Sequence, residues 1–175
     1  TDERYPPVRL IVMSFLMVIT LGSILLWLPF SSRDFTFTHP VDAFFVSTSA
    51  TCVTGLTPFD TWSHWNPFGQ GVILCLIQIG GLGLASITTG FSVLLRKKMG
   101  LRELWLASES ANGSSLDVRR LLGIILRFTL VCEGIGAAIL MIRLVPEYGL
   151  FGIWASIFTS VSAFCNAGFD IFGIK

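Results

Sequence analysis

Charge is what this sequence has least of. Only 13% of its 175 residues are Asp, Glu, Lys or Arg, against 53% hydrophobic, and positions 10–32 and 61–95 contain no charged residue at all. Disorder requires low hydrophobicity with high net charge, and a soluble globule spreads charge over its surface, so both are excluded. The formal net charge of +1 provides no concentrated basic surface to neutralise phosphates, which excludes nucleic acid as a partner. Cysteine is sparse as well: Cys52, Cys75, Cys132 and Cys165 stand singly in apolar runs. Without CxxC spacing or disulfide-type clustering they read as buried, reduced thiols. The two histidines, His39 and His64, lie outside any Cys/His spacing that suits zinc. There is no nucleophile with a base, no pair of intramembrane carboxylates and no metal cluster, so the chain does not read as an enzyme, and no covalent cofactor is expected.

What fills the charge-free stretches is long apolar sequence, and the mean hydropathy is +0.74. A hydrocarbon core of about 30 Å needs roughly 20 helical residues. Residues 10–30 (LIVMSFLMVITLGSILLWLPF) meet that requirement. The run exceeds the roughly 7–15 apolar residues of a signal peptide and no A-x-A site follows it, so it reads as a mature helix. A second span is expected over 69–95, stopped by Arg96, Lys97 and Lys98, and a third over 121–145, interrupted by Arg127, Glu133 and Arg143. Residues 96–120 hold six Lys/Arg, whereas 31–68 hold Arg33 alone. The positive-inside rule therefore makes 96–120 a cytoplasmic linker, puts the N-terminus inside and leaves 31–68 outside. The expected location is the cell (inner or plasma) membrane, with the lipid bilayer as the first partner.

Several polar features inside these spans carry alternatives. Arg127 and Arg143 read as snorkelling or interfacial anchors. Glu133 lies deeper, where a carboxylate is expensive unless paired, hydrated or neutral; contact with an arginine is one reading, and lining a cavity that influences cation passage is the other. Gly80, Gly81 and Gly83 let neighbouring helix backbones approach closely or form a hinge, and Gln78 is placed to hydrogen-bond a neighbouring helix. In the linker, a short amphipathic pattern surrounds Leu101, Leu104 and Trp105, and Ser115 or Asp117 is the expected cap of the next helix.

Within the outer connection, residues 41–50 (VDAFFVSTSA) are too short to cross and too apolar for a solvated loop, which fits a re-entrant helix started by Thr38-His39-Pro40, with Asp42 near its positive end. Residues 51–57 (TCVTGLT) follow it, one glycine among small and β-branched residues. Non-helical backbone at membrane depth must line water or protein. Its carbonyls can replace an ion's hydration shell, and glycine lets a carbonyl turn inward.

The same segment occurs twice. FVSTSATCVTGLTPF at 45–59 aligns without gaps on FTSVSAFCNAGFDIF at 158–172, and seven of the fifteen positions match, the glycine included. The expected fold is an all-α polytopic membrane protein of repeated helix, re-entrant pore helix with filter, and helix units, potassium-channel-like in plan. Residues 1–95 form the first repeat, with spans 10–30 and 69–95, a pore helix at 40–50 and a filter at 51–57. Residues 121–175 form a second repeat with a span at 121–145, a pore helix at 153–164 and a filter at 165–170. Its closing helix is missing, so the chain reads as an N-terminal fragment.

These residues resemble the Trk/Ktr/HKT superfamily of potassium transporters, most closely the bacterial membrane subunits of Trk and Ktr systems. The resemblance rests on TSATCVTGLTPFD (48–60), QIGGLGLASITT (78–89) and SAFCNAGFD (162–170), and it covers essentially the whole chain. It implies four covalently linked repeats, of which about one and a half are present, and a filter keeping one glycine per repeat. By that pattern Gly55 and Gly168 are the filter glycines, Val53, Thr54, Asn166 and Ala167 offer carbonyls to the ion, and Leu56 and Phe169 follow the glycines. It further implies potassium as the transported ion, held at filter carbonyls only, with sodium as a coupling or activating ion. A homodimer of the full-length protein and a cytoplasmic nucleotide-binding regulatory subunit are the implied partners. Gly55, where sodium-preferring plant members carry serine, favours potassium. The readings to be set against potassium uptake are a sodium-permeable relative and a non-conducting membrane interaction subunit.

Overall fold

The computed structural model describes the backbone of residues 7–96 and 114–173, and the side chains of 12–83 and 123–173. It is helical, and among the described residues there is no strand, only an isolated antiparallel bridge between Ser32 and Trp65. The described residues form six helices in order: α1 (Pro7–Trp27), α2 (Pro40–Thr51), α3 (Thr61–His64), α4 (Pro67–Arg96), α5 (Ser114–Tyr148) and α6 (Leu150–Phe164), with a 3₁₀ turn at Pro29–Ser31. The chain divides into two compact units, one of Thr1–Gly81 with Glu133–Lys175 and one of Leu82–Cys132. The second unit holds the end of α4 and the start of α5, and Arg127 within it is exposed.

Gly123–Tyr148, within α5, is long and apolar enough to cross a membrane. Val12–Trp27 and Pro67–Gly83 are shorter apolar stretches at two other expected spans. The helix at the first expected span ends at Trp27 rather than at residue 30. Leu28 precedes Pro29 and is extended (φ −64°, ψ 145°), the conformation that a following proline imposes. Helix α5 begins at Ser114, inside the expected linker, so Ser115 and Asp117 lie within the helix rather than capping it. The expected amphipathic pattern around Leu101–Trp105 lies outside the described residues.

In the first unit, α2 and α6 occupy the middle of the packing. Val46, Ala50, Ala155, Phe158 and Val161 are buried together with Leu26 of α1 and Ile73, Leu76 and Ile77 of α4. The opposite faces of the long helices are apolar and exposed, as at Met13, Leu16 and Met17 of α1 and Ile135, Ile139 and Ile142 of α5. Soluble domains avoid exposing apolar surface on this scale. The four cysteines are free, but none is fully buried as expected: Cys52 and Cys75 are exposed, and Cys132 and Cys165 are half-buried. Cys75 sits in an apolar groove between α1 and α4 with Gly22 and Gly71, so its apolar neighbours in sequence do not enclose it.

Polar contacts close the connection between α1 and α4. The Asn66 amide donates to the carbonyls of Phe30 (2.6 Å) and Ser32 (3.3 Å), and its Oδ1 accepts from the Gly69 N–H (3.0 Å). This side chain therefore caps the first turn of α4 and ties it to the 3₁₀ turn that follows α1. Asp60 caps α3 by accepting from the Ser63 N–H at 2.8 Å. Arg33 lies over the Trp62 ring, 3.8 Å from its centroid.

Candidate functional site

The ends of α2 and α6 are built alike, bond for bond. Cys52 N–H donates to Thr48 O (2.8 Å) and Cys165 N–H to Val161 O (2.9 Å). Val53 N–H donates to Ala50 O (3.3 Å) and Asn166 N–H to Ala163 O (3.0 Å). Thr54 N–H donates to Ser49 O (2.9 Å) and Ala167 N–H to Ser162 O (2.7 Å). Each pair connects residues that the sequence repeat aligns. The chain then leaves the helix through left-handed backbone at equivalent positions: Val53 (φ 56°) and Asn166 (φ 58°), then Gly55 (φ 74°) and Gly168 (φ 75°). Only glycine adopts this conformation freely, and a β-branched valine there is unusual. Val53 is held by the hydrogen bonds on either side of it.

The two extended segments touch. A Cβ built on Gly55 would collide with the Ala167 carbonyl oxygen and stand 3.3 Å from the Gly168 Cα. Among the described residues, the carbonyls of Val53, Thr54, Gly55, Asn166, Ala167 and Gly168 accept no hydrogen bond. Phe169 differs, because its carbonyl accepts from the Ser162 hydroxyl at 2.6 Å and its side chain is 4% exposed. Leu56, its counterpart, is 61% exposed. The structure thus brings the two glycines together, while Leu56 and Phe169 are unequal in a way that the repeat does not reveal.

Both helices are fastened to a long helix by one serine. Ser47 Oγ of α2 donates to Ile19 O of α1, and Ser160 Oγ of α6 donates to Glu133 O of α5, each at 2.7 Å. A glycine lies at each junction: a Cβ on Gly22 would stand 2.6 Å from Ser47 Oγ, and one on Gly136 would stand 2.5 Å from Ser160 Oγ. The repeat therefore extends to α1 and α5, with a register differing by one residue from that of the short helices. That shift, and the lack of matching side chains around the glycines, concealed this part of the repeat in the sequence. Gly80 and Gly81 of α4 approach the helix ends, Gly80 against the Thr51 backbone and Gly81 against the Cys165 side chain. Glu133 is 6% exposed and accepts from Gln78 Nε2 at 3.3 Å, with the Cys165 thiol 4.0 Å away. Its partner is an amide, not the arginine that the sequence offered as one reading.

The TrkH family pattern, described as cation transport protein, matches residues 6–173. The chain belongs to the TrkH family. Similar proteins include the potassium/sodium uptake protein NtpJ of Enterococcus hirae, 45% identical over 173 residues that make up 98% of this chain and 38% of that protein. The Ktr system potassium uptake protein B of Bacillus subtilis is 42% identical, covering 96% of this chain and 38% of its own length. The Vibrio alginolyticus protein of the same name is 40% identical, covering 94% and 36%. The chain spans about two fifths of the length of these relatives. All three are named as uptake proteins and none as an enzyme. TrkH membership and the apolar Gly123–Tyr148 helix together identify a membrane protein.

Proposed function

We propose that this chain forms part of a potassium uptake protein in which dehydrated ions pass a ring of backbone carbonyls, two of whose segments are Val53–Leu56 and Asn166–Phe169. The observation that carries the reading is the duplicated left-handed backbone at Val53/Asn166 and Gly55/Gly168, with the two glycines in contact and the carbonyls around them free of partners among the described residues. Free carbonyls replace hydration water around a cation, and the negative ends of α2 and α6 add favourable potential. Two segments do not enclose an ion, so further units complete the ring. Phe169, with its carbonyl engaged by Ser162, braces the second segment, and Leu56 follows the first glycine.

In this reading α1, α4 and α5 cross the cell membrane, α2 and α6 enter it from outside as pore helices, and the N-terminus and residues 96–120 are cytoplasmic. Residues 1–95 and 121–175 belong to successive repeats. The assembled protein is a homodimer that works with a cytoplasmic nucleotide-binding regulatory subunit, with sodium as a coupling or activating ion. Sodium is also a second permeant candidate, because the Enterococcus hirae relative carries both ions in its name.

The experiment is rubidium uptake in transport-deficient cells expressing the full-length protein, with a cognate cytoplasmic subunit supplied. Gly55→Asp, matched for membrane amount, is expected to abolish uptake, and Gly55→Ser to move the preference toward sodium. Uptake unchanged in both variants rejects the carbonyl assignment. A parent that supports none favours the non-conducting interaction subunit.

A further inference from the structure

The two repeats fasten their short helices in the same way, but only the second places a carboxylate at the junction. Where Ile19 supplies a backbone acceptor to Ser47, Glu133 supplies a backbone acceptor to Ser160 and a buried side-chain acceptor as well. Burying a carboxylate in a membrane-crossing helix is costly. The first repeat shows that an apolar side chain satisfies the packing, so fastening the helix does not explain the acid.

Its contacts point elsewhere. Glu133 Oε2 accepts from Gln78 of α4, and Oε1 lies 4.0 Å from the thiol of Cys165. Cys165 is the C-cap of α6 and directly precedes Asn166, where the backbone turns left-handed. The other side of Cys165 meets α4, because a Cβ on Gly81 would stand 2.5 Å from its sulfur. The last residue before the second extended segment is therefore held between Glu133 and Gly81, and Gln78, one helical turn before Gly81, binds Glu133. In the first repeat Cys52, the counterpart of Cys165, is exposed.

We propose that Glu133 is a positioning residue that sets the second carbonyl segment through Cys165, with Gln78 orienting the carboxylate, and so tunes which alkali cation passes. This rests on the uptake reading above. The repeats are then not equivalent: the first segment is set by backbone packing of Thr51 on Gly80, the second by a polar side-chain network.

The test uses the full-length protein in membranes with three variants: Glu133→Gln, Glu133→Ile, which copies the first repeat, and the exchange Glu133→Gln with Gln78→Glu. At matched membrane amount, Glu133→Gln and Glu133→Ile are expected to change the rubidium-to-sodium uptake ratio about threefold to tenfold. The exchange, which restores a carboxylate–amide pair, is expected to return the ratio toward the parent value. A ratio unchanged in both single variants overturns the proposal, and so does a changed ratio that the exchange leaves unrestored. A second readout is independent of transport: the rate at which a membrane-permeant maleimide modifies Cys165, followed by peptide mass spectrometry. That rate is expected to rise about threefold in Glu133→Ile, and an unchanged rate overturns the positioning role. A parent without rubidium uptake defeats the uptake reading, while the maleimide rate still judges whether Glu133 holds Cys165.

Discussion

Gly55 stands directly against Ala167, so closely that a single methyl group on the glycine would collide with the alanine carbonyl oxygen. Two segments more than a hundred residues apart in sequence meet there without any side chain between them. The partner atom is backbone, and it cannot rotate away.

The two glycines of this contact are consequently unequal. Both are left-handed, which costs an alanine roughly 1–2 kcal/mol. A Cβ on Gly168, however, meets among the described residues only the Gly55 Cα, at an ordinary 3.7 Å. Gly55→Ala is expected to reduce rubidium uptake by the full-length protein at least about tenfold, and Gly168→Ala by clearly less. Equal losses at matched membrane amount contradict the geometry.

The junction of α5 and α6 gives a coupled pair. A Cβ on Gly136 stands 2.5 Å from Ser160 Oγ and 3.6 Å from Ser160 Cβ, and nothing else among the described residues is close. Gly136→Ala is expected to destabilise by about 1–3 kcal/mol through overpacking, and Ser160→Ala by about 1 kcal/mol through the lost bond to Glu133 O. The double variant is expected to cost less than the sum, because removing the hydroxyl makes room for the methyl. At the matching junction, Gly22→Ala also meets Leu76 at 2.7 Å, so Ser47→Ala does not relieve it. Thermal midpoints of the detergent-solubilised full-length protein check both, and strict additivity at Gly136/Ser160 counts against the packing described.

A pH response is expected from the connection between α1 and α4. Burial pushes the His64 imidazole below its ordinary 6.5, with Asp34 and Asp42 partly opposing this. The neutral ring lies beside Thr38 Oγ1, 3.1 Å from Nε2, and stacks on Phe59 with centroids 4.2 Å apart. Because the folded value is depressed, the unfolded chain binds the proton more readily. The contribution is fully present above about pH 6.5 and is lost as pH falls through the folded value. The thermal midpoint is expected to fall between about pH 7 and pH 5, and His64→Gln to remove that component. An identical profile in the variant rejects the assignment.

Much of the fold was legible because its signals are local. The short helix expected at 40–50 is Pro40–Thr51, started by the proline, and the one expected at 153–164 is Leu150–Phe164, begun three residues earlier after Gly149 (φ 61°). The two glycines were legible because the repeat carries them in register. Three features were not. Gly22 and Gly136 were hidden by a one-residue change of register between long and short helices. Gln78 reaches Glu133 from 55 residues away, and no periodicity announces an amide as partner to a carboxylate. The unequal burial of Leu56 and Phe169 depends on what packs beside each segment, since both are large apolar residues after a glycine.

By itself, the sequence determined the apolar, helical character of the chain, the duplication of its short helix and following segment, and the equivalent places of Gly55 and Gly168 in the two copies. Each follows from composition or from conformational preferences that act over a few residues. Only the tertiary structure decided that the duplicated segments meet at Gly55 and Ala167, that one serine in each repeat fastens the short helix beside a glycine, and that Glu133 is joined to Gln78. Those outcomes are contacts between elements distant in the chain, fixed by which faces can approach closely enough to pack and by where a buried polar group finds its partner.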